Sequence, residues 1–541
     1  MKKGDDAMLC FVTTCLPPQK SGIEMAILKR IKLFQQHHTS FKLITTDFDE
    51  TLHIKLNHYH IKDSSVINMY NFFCKDTNTT PRKFGIDELA QQLTNITFVQ
   101  TDVDNIYYGY LDNYKYLIVT TDPITQQISS VDVLDQGENI IKKEIFDCRG
   151  WRNKEQIFNN NLLAVEHIFS SQGKRIISIF WKPVHQLDQD SSLQNKPQLF
   201  ELFWHNQKHY FNYESELITY FLDEVIYLVN ERLNKSYYAL IVDRTKELAE
   251  PVLNMKAPVV KYAYLHSDHI INHDDEIHSP LNYNYAYALN NVSAWQGVIM
   301  ATKQQEAVFK KRYGNLVNTF VIPVSFANQA TQHITYANRQ NEIIEVARLS
   351  EEKRQGDLIK AFKIVHEQMP NVKLSFYGTG TNDYVNELKN MILDLRLKDA
   401  ISFKGYTEQL DSVYNSASIS VLPSDTEGFS LAVLESLEHG LPVVAYNNPY
   451  GVPELIKDNY NGFLVKPNDI NMLASRMIEL LRNKKLAEQM SMNAYQSIIP
   501  FTKQNVWHQW MTLINDSYNA NQFLRNYYYQ KPVSVPKELL G

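Results

Sequence analysis

Residues 423–442 constrain the fold more than any other stretch of the chain. They lie between two short β-branched runs, Ser418-Ile419-Ser420-Val421-Leu422 and Val443-Val444-Ala445-Tyr446, each of which reads as a buried strand. Between the runs, Leu431, Leu434, Leu437 and Leu441 recur at helical spacing. This predicts a helix over 430–438, ended by Gly440 and Pro442. Strand, loop, helix and strand in succession build a parallel α/β sheet. The loop 425–429 then sits at the carboxyl end of a strand and at a helix N-terminus. Free N–H groups and the helix dipole favour anionic ligands there. Glu427 and Glu435 frame this turn, and carboxylates accept paired sugar or ribose hydroxyls. Gly428 lets the backbone come close to a ligand. An isolated pair of glutamates at this spacing would read as a capping acid and a solvated side chain; here the rest of the chain supplies a context.

The α/β pattern extends to both ends. Residues 8–14 read as a strand, 17–22 as a loop containing Gly22, and 23–34 as a helix with Ile23, Ala26, Ile27, Ile31 and Phe34 on one face. A strand over 41–46 follows. Such a glycine-containing corner accepts phosphate, and an ordinary turn explains it equally well. From about residue 84 to 213 the pattern changes to short alternating segments, among them 105–110, 114–120 and 175–181. Residues 146–150 and 169–173 read as hairpin turns, so this part is an antiparallel β-rich insert. It carries no clustered acid, His or Cys site. The α/β pattern resumes at residue 214, with a helix over 217–230 and strands over 238–242, 259–265, 298–302 and 319–323. A polar linker over 325–340 leads to a second α/β domain.

That domain opens with a strand over 342–346, the loop 347–353 and a helix over 356–369. Strands over 374–377 and 400–403 are followed by Gly378-Thr379-Gly380 and Lys404-Gly405-Tyr406. Helices are expected over 471–482 and 505–519, and the tail from Tyr527 is unplaced. The expected organisation is a first Rossmann-like domain in two parts (1–83 and 214–325), the insert (84–213), a second Rossmann-like domain (326–504) and a C-terminal helix with its tail (505–541).

Two further groups carry chemistry. Arg348 and Lys353 share one loop after a strand, where two fixed cations can neutralise a diphosphate. Leu265-His266-Ser267-Asp268-His269 ends another strand; two His three residues apart without a matching carboxylate do not make a metal site. Gly378-Thr379-Gly380 lacks the third glycine and the acidic partner of a nicotinamide-binding fingerprint, which argues against an oxidoreductase. A net charge of −6 excludes a global basic field for nucleic acid. The four cysteines form no Cys-x-x-Cys pair and read as reduced thiols of a cytoplasmic protein. The N-terminus does not read as a signal peptide, and no apolar run is long enough to span a bilayer.

The segment Glu427-Gly428-Phe429-Ser430-Leu431-Ala432-Val433-Leu434-Glu435-Ser436 resembles the signature of retaining GT-B glycosyltransferases. The resemblance implies a GT-B fold, two Rossmann-like domains facing a cleft, here with a β-rich insert in the first. It implies that Glu427 and the amides of Gly428, Phe429, Ser430 and Leu431 hold the donor sugar, and that Glu435 holds the nucleotide ribose. It makes Arg348 and Lys353 the diphosphate pair and brings Gly22 to the phosphate or sugar. Gly378, Lys404, Gly405 and Tyr406 are carried over as further donor-binding positions. No metal or other cofactor is implied, and the last helix is expected to cross back to the first domain.

A closer resemblance rests on Leu265-His266-Ser267 with His269, on Ser21-Gly22-Ile23-Glu24, on residues 67–73 and 147–150, and on the insert. It is to bacterial glycosyltransferases that modify serine–aspartate-repeat or serine-rich surface proteins, and to wall teichoic acid α-glycosyltransferases. It places His266 against the donor sugar and leaves His269 structural. Pro323-Val324-Ser325 departs from the glycine that relatives carry after Pro-Val. The implied donor is UDP-glucose or UDP-GlcNAc. The implied acceptor is a surface protein first and a polyol-phosphate teichoic acid second. A non-catalytic partner subunit is the alternative of another class. Homo-oligomers through the insert and peripheral contact with the inner face of the membrane are further implications.

Overall fold

The computed structural model describes residues 7–16, 22–182, 196–233, 237–328 and 335–528. The chain forms two compact units. One holds residues 1–20, 40–259 and 524–541, and the other holds residues 21–39 and 260–523. The expectations for the loop 17–21, for the middle of the linker (329–334) and for the tail beyond Tyr528 lie outside the described residues.

The first unit carries a parallel run in the order Tyr237–Val242, Ala7–Thr13, Phe41–Thr45, Val66–Asn68. It also carries a ten-stranded antiparallel sheet from Thr97–Gln100 to Gln207–Phe211, in which every strand pairs with its sequence neighbour. The alternation read between residues 84 and 213 is therefore a simple meander. Residues 146–150 and 169–173 make hairpin turns, between Ile140–Asp147 and Trp151–Asn159 and between Leu162–Phe169 and Arg175–Trp181. Hairpins suffice for this topology because antiparallel neighbours need no crossover. Leu117, Val119, Val131, Val133 and Phe146 of the sheet form one core with Leu89 of the helix Ile86–Gln92.

The second unit carries the parallel run Val260–Leu265, Gly297–Met300, Asn318–Val321. It also carries a six-stranded parallel sheet in the order Ile401–Gly405, Lys373–Tyr377, Glu342–Val346, Ile419–Leu422, Val443–Tyr446, Gly462–Val465. The order reverses direction between Glu342–Val346 and Ile419–Leu422, which are hydrogen-bonded neighbours. This is a topological switch point, and in open α/β sheets ligands bind outside the carboxyl ends of the two strands that flank it.

The helix expected over 430–438 is Leu431–Glu438, with the Ser430 hydroxyl accepting from the Val433 N–H at 3.4 Å. Gly440 takes a positive φ of 63° just past its end, and a side chain there would strike the Tyr495 ring. The strand expected over 400–403 runs on to Gly405, so Lys404 and Gly405 belong to the strand and only Tyr406 follows it. It is an edge strand, which tolerates an exposed Lys404. The last helix is Lys503–Tyr528, longer than 505–519. Two helices that periodicity did not single out, Asn382–Asp394 and Lys484–Ser497, bury few large side chains: Leu388 and Ile392 in the first, chiefly Ala487, Met490, Ala494 and Tyr495 in the second. Among the described residues no helix is long and apolar enough to cross a membrane, and all four cysteines are free.

Candidate active site

The two loops that follow the strands flanking the switch point meet. The first, after Val346, carries Arg348 and Lys353; the second, after Leu422, carries Asp425, Glu427 and Gly428. Lys353 Nζ donates to Glu427 Oε1 at 2.7 Å, with both side chains largely buried. Arg354 Nε donates to Asp425 Oδ1 at 2.9 Å, and the Asp425 N–H donates to the Glu352 carbonyl at 2.9 Å. Arg348 stands further out, paired with Glu352 at 2.8 Å and mostly exposed. The two cations read from sequence thus share a loop, but Lys353 is fixed inside the site and Arg348 stands at its rim.

A third segment completes the cluster. Gly428 packs directly on the backbone after the strand Val260–Leu265: a Cβ at Gly428 would lie 2.0 Å from the His266 carbonyl oxygen and 2.8 Å from Ser267 Cα. His266 is held from behind. Its N–H and that of Ser267 donate to the Tyr285 hydroxyl at 3.0 and 2.8 Å, and its ring stacks on Tyr264 at 4.3 Å. Gln305 Nε2 donates to the Ser267 carbonyl at 2.8 Å. The Gly451 N–H donates to the Glu427 carbonyl at 2.8 Å and fixes the turn from the other side. The Phe429 side chain lies in the core against Phe501, so this position has only its backbone to offer a ligand. Ser430 takes a positive φ of 68°, which turns the chain into the helix.

Glu435 lies just over one turn along that helix, and both its oxygens are engaged. Lys29 Nζ, from the helix Gly22–Gln36, donates to Oε1 at 3.1 Å, and the Tyr414 hydroxyl donates to Oε2 at 3.1 Å. Burial and then the Glu435 carboxylate push the Tyr414 phenol well up, so it stays a donor. Gly22 opens the helix of Lys29, exposed, with nothing close to where a side chain would be.

The other carried-over positions form a layer beside the Arg348 loop. Gly378 and Gly380 pack on its backbone: a Cβ at Gly378 would meet the Ala347 carbonyl at 1.8 Å, and one at Gly380 the Leu349 carbonyl at 2.1 Å. The Gly378 N–H donates to the Gly405 carbonyl at 2.9 Å, Lys404 is exposed, and Tyr406 is half exposed.

Sequence reasoning missed several groups here. Glu345, at the end of the strand before Arg348, is fully buried. Burial holds its carboxyl well above the usual carboxylate range. One oxygen accepts from Gln355 Nε2 at 3.3 Å, and the other has no hydrogen-bond partner among the described residues. Gln355 Nε2 also donates to the Arg348 carbonyl at 3.0 Å, which ties this acid to the cationic loop. Asp268 is buried with its carboxyl pushed up, and its Oδ2 pairs with His273 at 3.1 Å. Burial pushes His269 down to about 3, so it is a neutral core imidazole beside Tyr450. Alternation marks Glu345 as a strand residue, but no local signal shows that its side chain is sealed in. Among the described residues no group of three or more His, Cys, Asp or Glu could hold a metal ion.

Cations, carboxylates and a helix N-terminus at a switch point suit a ligand that joins an anionic diphosphate to hydroxyl-rich rings. Residues 329–497 match the family model described as glycosyl transferases group 1. The chain is 24% identical, over 95% of its length and 76% of the relative's, to a poly(glycerol-phosphate) alpha-glucosyltransferase of Bacillus subtilis. It is 22% identical, over 92% of its length and 96% of the relative's, to the GtfA subunit of a UDP-N-acetylglucosamine–peptide N-acetylglucosaminyltransferase of Streptococcus pneumoniae. Its fold superposes on the crystal structure of the pneumococcal O-GlcNAc transferase GtfA in complex with UDP and GlcNAc. The TM-score is 0.80 at 21% identity, over 95% of this chain and 99% of that one.

Proposed function

We propose that this chain, a glycosyltransferase with a group 1 domain at residues 329–497 on a GT-B fold, moves glucose or N-acetylglucosamine with retention from a UDP-linked donor to a bacterial surface polymer. The observation that carries this reading is the meeting of Lys353 with Glu427 at 2.7 Å, on the two loops of the switch point, beside the contact of Gly428 with His266. Glu435 accepts from the ribose hydroxyls. Lys353, with Arg348 at the rim, neutralises charge that grows on the diphosphate as the glycosidic bond breaks. The amides of Gly428 to Leu431, with Glu427, orient the sugar, and His266 closes its other side. In a retaining transfer the departing phosphate oxygen takes the acceptor proton on the face where the new bond forms.

The acceptor is a serine-bearing surface protein; the streptococcal relative is named as a peptide N-acetylglucosaminyltransferase. A polyol phosphate is the second reading, favoured by the Bacillus relative, which aligns over more of this chain. The antiparallel sheet serves self-association or acceptor docking rather than donor chemistry. Val99, Tyr114, Ile141 and Leu162 are exposed on it, and among the described residues each of its end strands pairs on one side only. The chain acts in the cytoplasm, where nucleotide sugars are available. The experiment is a screen of UDP-glucose and UDP-GlcNAc against serine-rich peptide and poly(glycerol phosphate) acceptors, with donor hydrolysis read in parallel. Transfer to peptide supports the first reading and transfer to the polyol phosphate the second. A folded protein that neither hydrolyses nor transfers either donor would refute both.

A further inference from the structure

We propose that Lys29 is a positioning residue for the nucleotide ribose, acting through Glu435, and that it sets the preference for ribose over deoxyribose; this rests on the reading that Glu435 holds the ribose. An ionised carboxylate offers about four lone-pair sites. In Glu435, Lys29 Nζ occupies one on Oε1 and the Tyr414 hydroxyl occupies one on Oε2, each at 3.1 Å. About two sites remain, one on each oxygen, with the carboxylate plane fixed by its two donors. Two fixed acceptors on adjacent oxygens match two hydroxyls on adjacent carbons, which is the 2′,3′-diol of a ribose.

Both donors are themselves held. Lys29 extends from a helix whose Ala26, Ile27, Arg30, Ile31, Leu33 and Phe34 are buried. Phe34 packs edge-on against Trp507 and Trp510 at 5.2 and 5.6 Å, and the Arg30 guanidinium lies over Tyr264 and Trp510. Tyr414 is buried and stacks on His439 at 5.4 Å. Without Lys29, among the described residues only the Tyr414 bond would fix the carboxylate, whose terminal torsion is broad. Its charge would also stand uncompensated in a site that must accept a diphosphate. Both effects weaken nucleotide binding, but only the loss of orientation erodes the distinction between a diol and a single hydroxyl. Lys29 and Glu435 are 406 residues apart, and no motif in the first helix marks the lysine.

The test measures binding of UDP and of 2′-deoxy-UDP by calorimetry to the full chain and to its Lys29→Met, Lys29→Arg and Glu435→Ala variants. Lys29→Met keeps the apolar stem of a side chain that is 23% exposed, and a thermal melt confirms its fold. The expected result is about a 10-fold or greater loss of UDP affinity in Lys29→Met, as for a lost hydrogen bond to a charged group. Discrimination against 2′-deoxy-UDP should fall to that of Glu435→Ala, and Lys29→Arg should restore part of it. If Glu435→Ala loses discrimination while Lys29→Met keeps it, the proposal is overturned and the role of Glu435 stands. If Glu435→Ala keeps full discrimination, the ribose reading and the proposal fall together.

Discussion

Replacing Gly428 with alanine tests whether the contact between the Glu427 turn and the His266 segment sets the site's geometry. The added Cβ would lie 2.0 Å from the His266 carbonyl oxygen, 2.6 Å from its carbonyl carbon and 2.8 Å from Ser267 Cα. All three neighbours are backbone, so no side-chain rotation relieves the overlap. An ordinary contact begins at 3.4 Å, so the two segments must part by about 1.4 Å along this line. Inserting one methyl into a packed contact costs about 1–3 kcal/mol of stability. A misplacement of about 1 Å between reacting groups costs about 100-fold in rate. Gly428→Ala should therefore melt only a few degrees lower yet lose about 100-fold or more in sugar transfer. Gly356→Ala is the internal control. It adds a Cβ on a helix at 3.4 Å from the flexible end of Met391, and should stabilise by up to about 1 kcal/mol with transfer unchanged. The assay pairs thermal melts with initial rates of transfer. A Gly428→Ala variant within about threefold of the parent rate would refute the claim that this close approach positions the sugar.

Arg348→Ala and Lys353→Ala should each cut turnover by about 100- to 1,000-fold with the fold retained, the loss typical of one preorganised charge-stabilising group; near-parental rates in both would remove the diphosphate assignment. Burial raises the Glu345 carboxyl well above 4.5 in the fold and does not act on it in the unfolded chain. The folded state then binds the extra proton, and this group's contribution to stability is present below that value and lost as pH rises. Glu345→Gln should accordingly raise the melting temperature more at pH 8 than at pH 5, and an equal shift at both would refute the buried neutral acid. Transfer should survive excess EDTA, since no described cluster offers metal ligands; activity lost to EDTA and restored by one divalent ion would contradict this.

The sequence by itself determined the kinds of element and offered the candidate residues for the chemistry. The leucines of 431–441 marked their helix within one residue of each end, because a 3.6-residue period is a local property. The β-branched runs around it gave both strands, and the alternation of 84–213 gave the antiparallel sheet. Glu427, Arg348 and Lys353 stand in loops after strands, and Glu435 in a helix, that the pattern itself locates; the roles proposed for them rest on the resemblance to GT-B enzymes. What the pattern does not carry is who meets whom. Strand order decides that the loop after Val346 lies beside the loop after Leu422, so that Lys353 reaches a glutamate 74 residues away. Packing decides that Gly428 touches His266, that Phe429 spends its side chain in the core, and that Lys29 reaches Glu435. Burial, a sum over neighbours from the whole unit, turns Glu345 from a strand residue into a sealed acid. Periodicity reports the face a residue is on, and only the tertiary structure supplies what lies against that face.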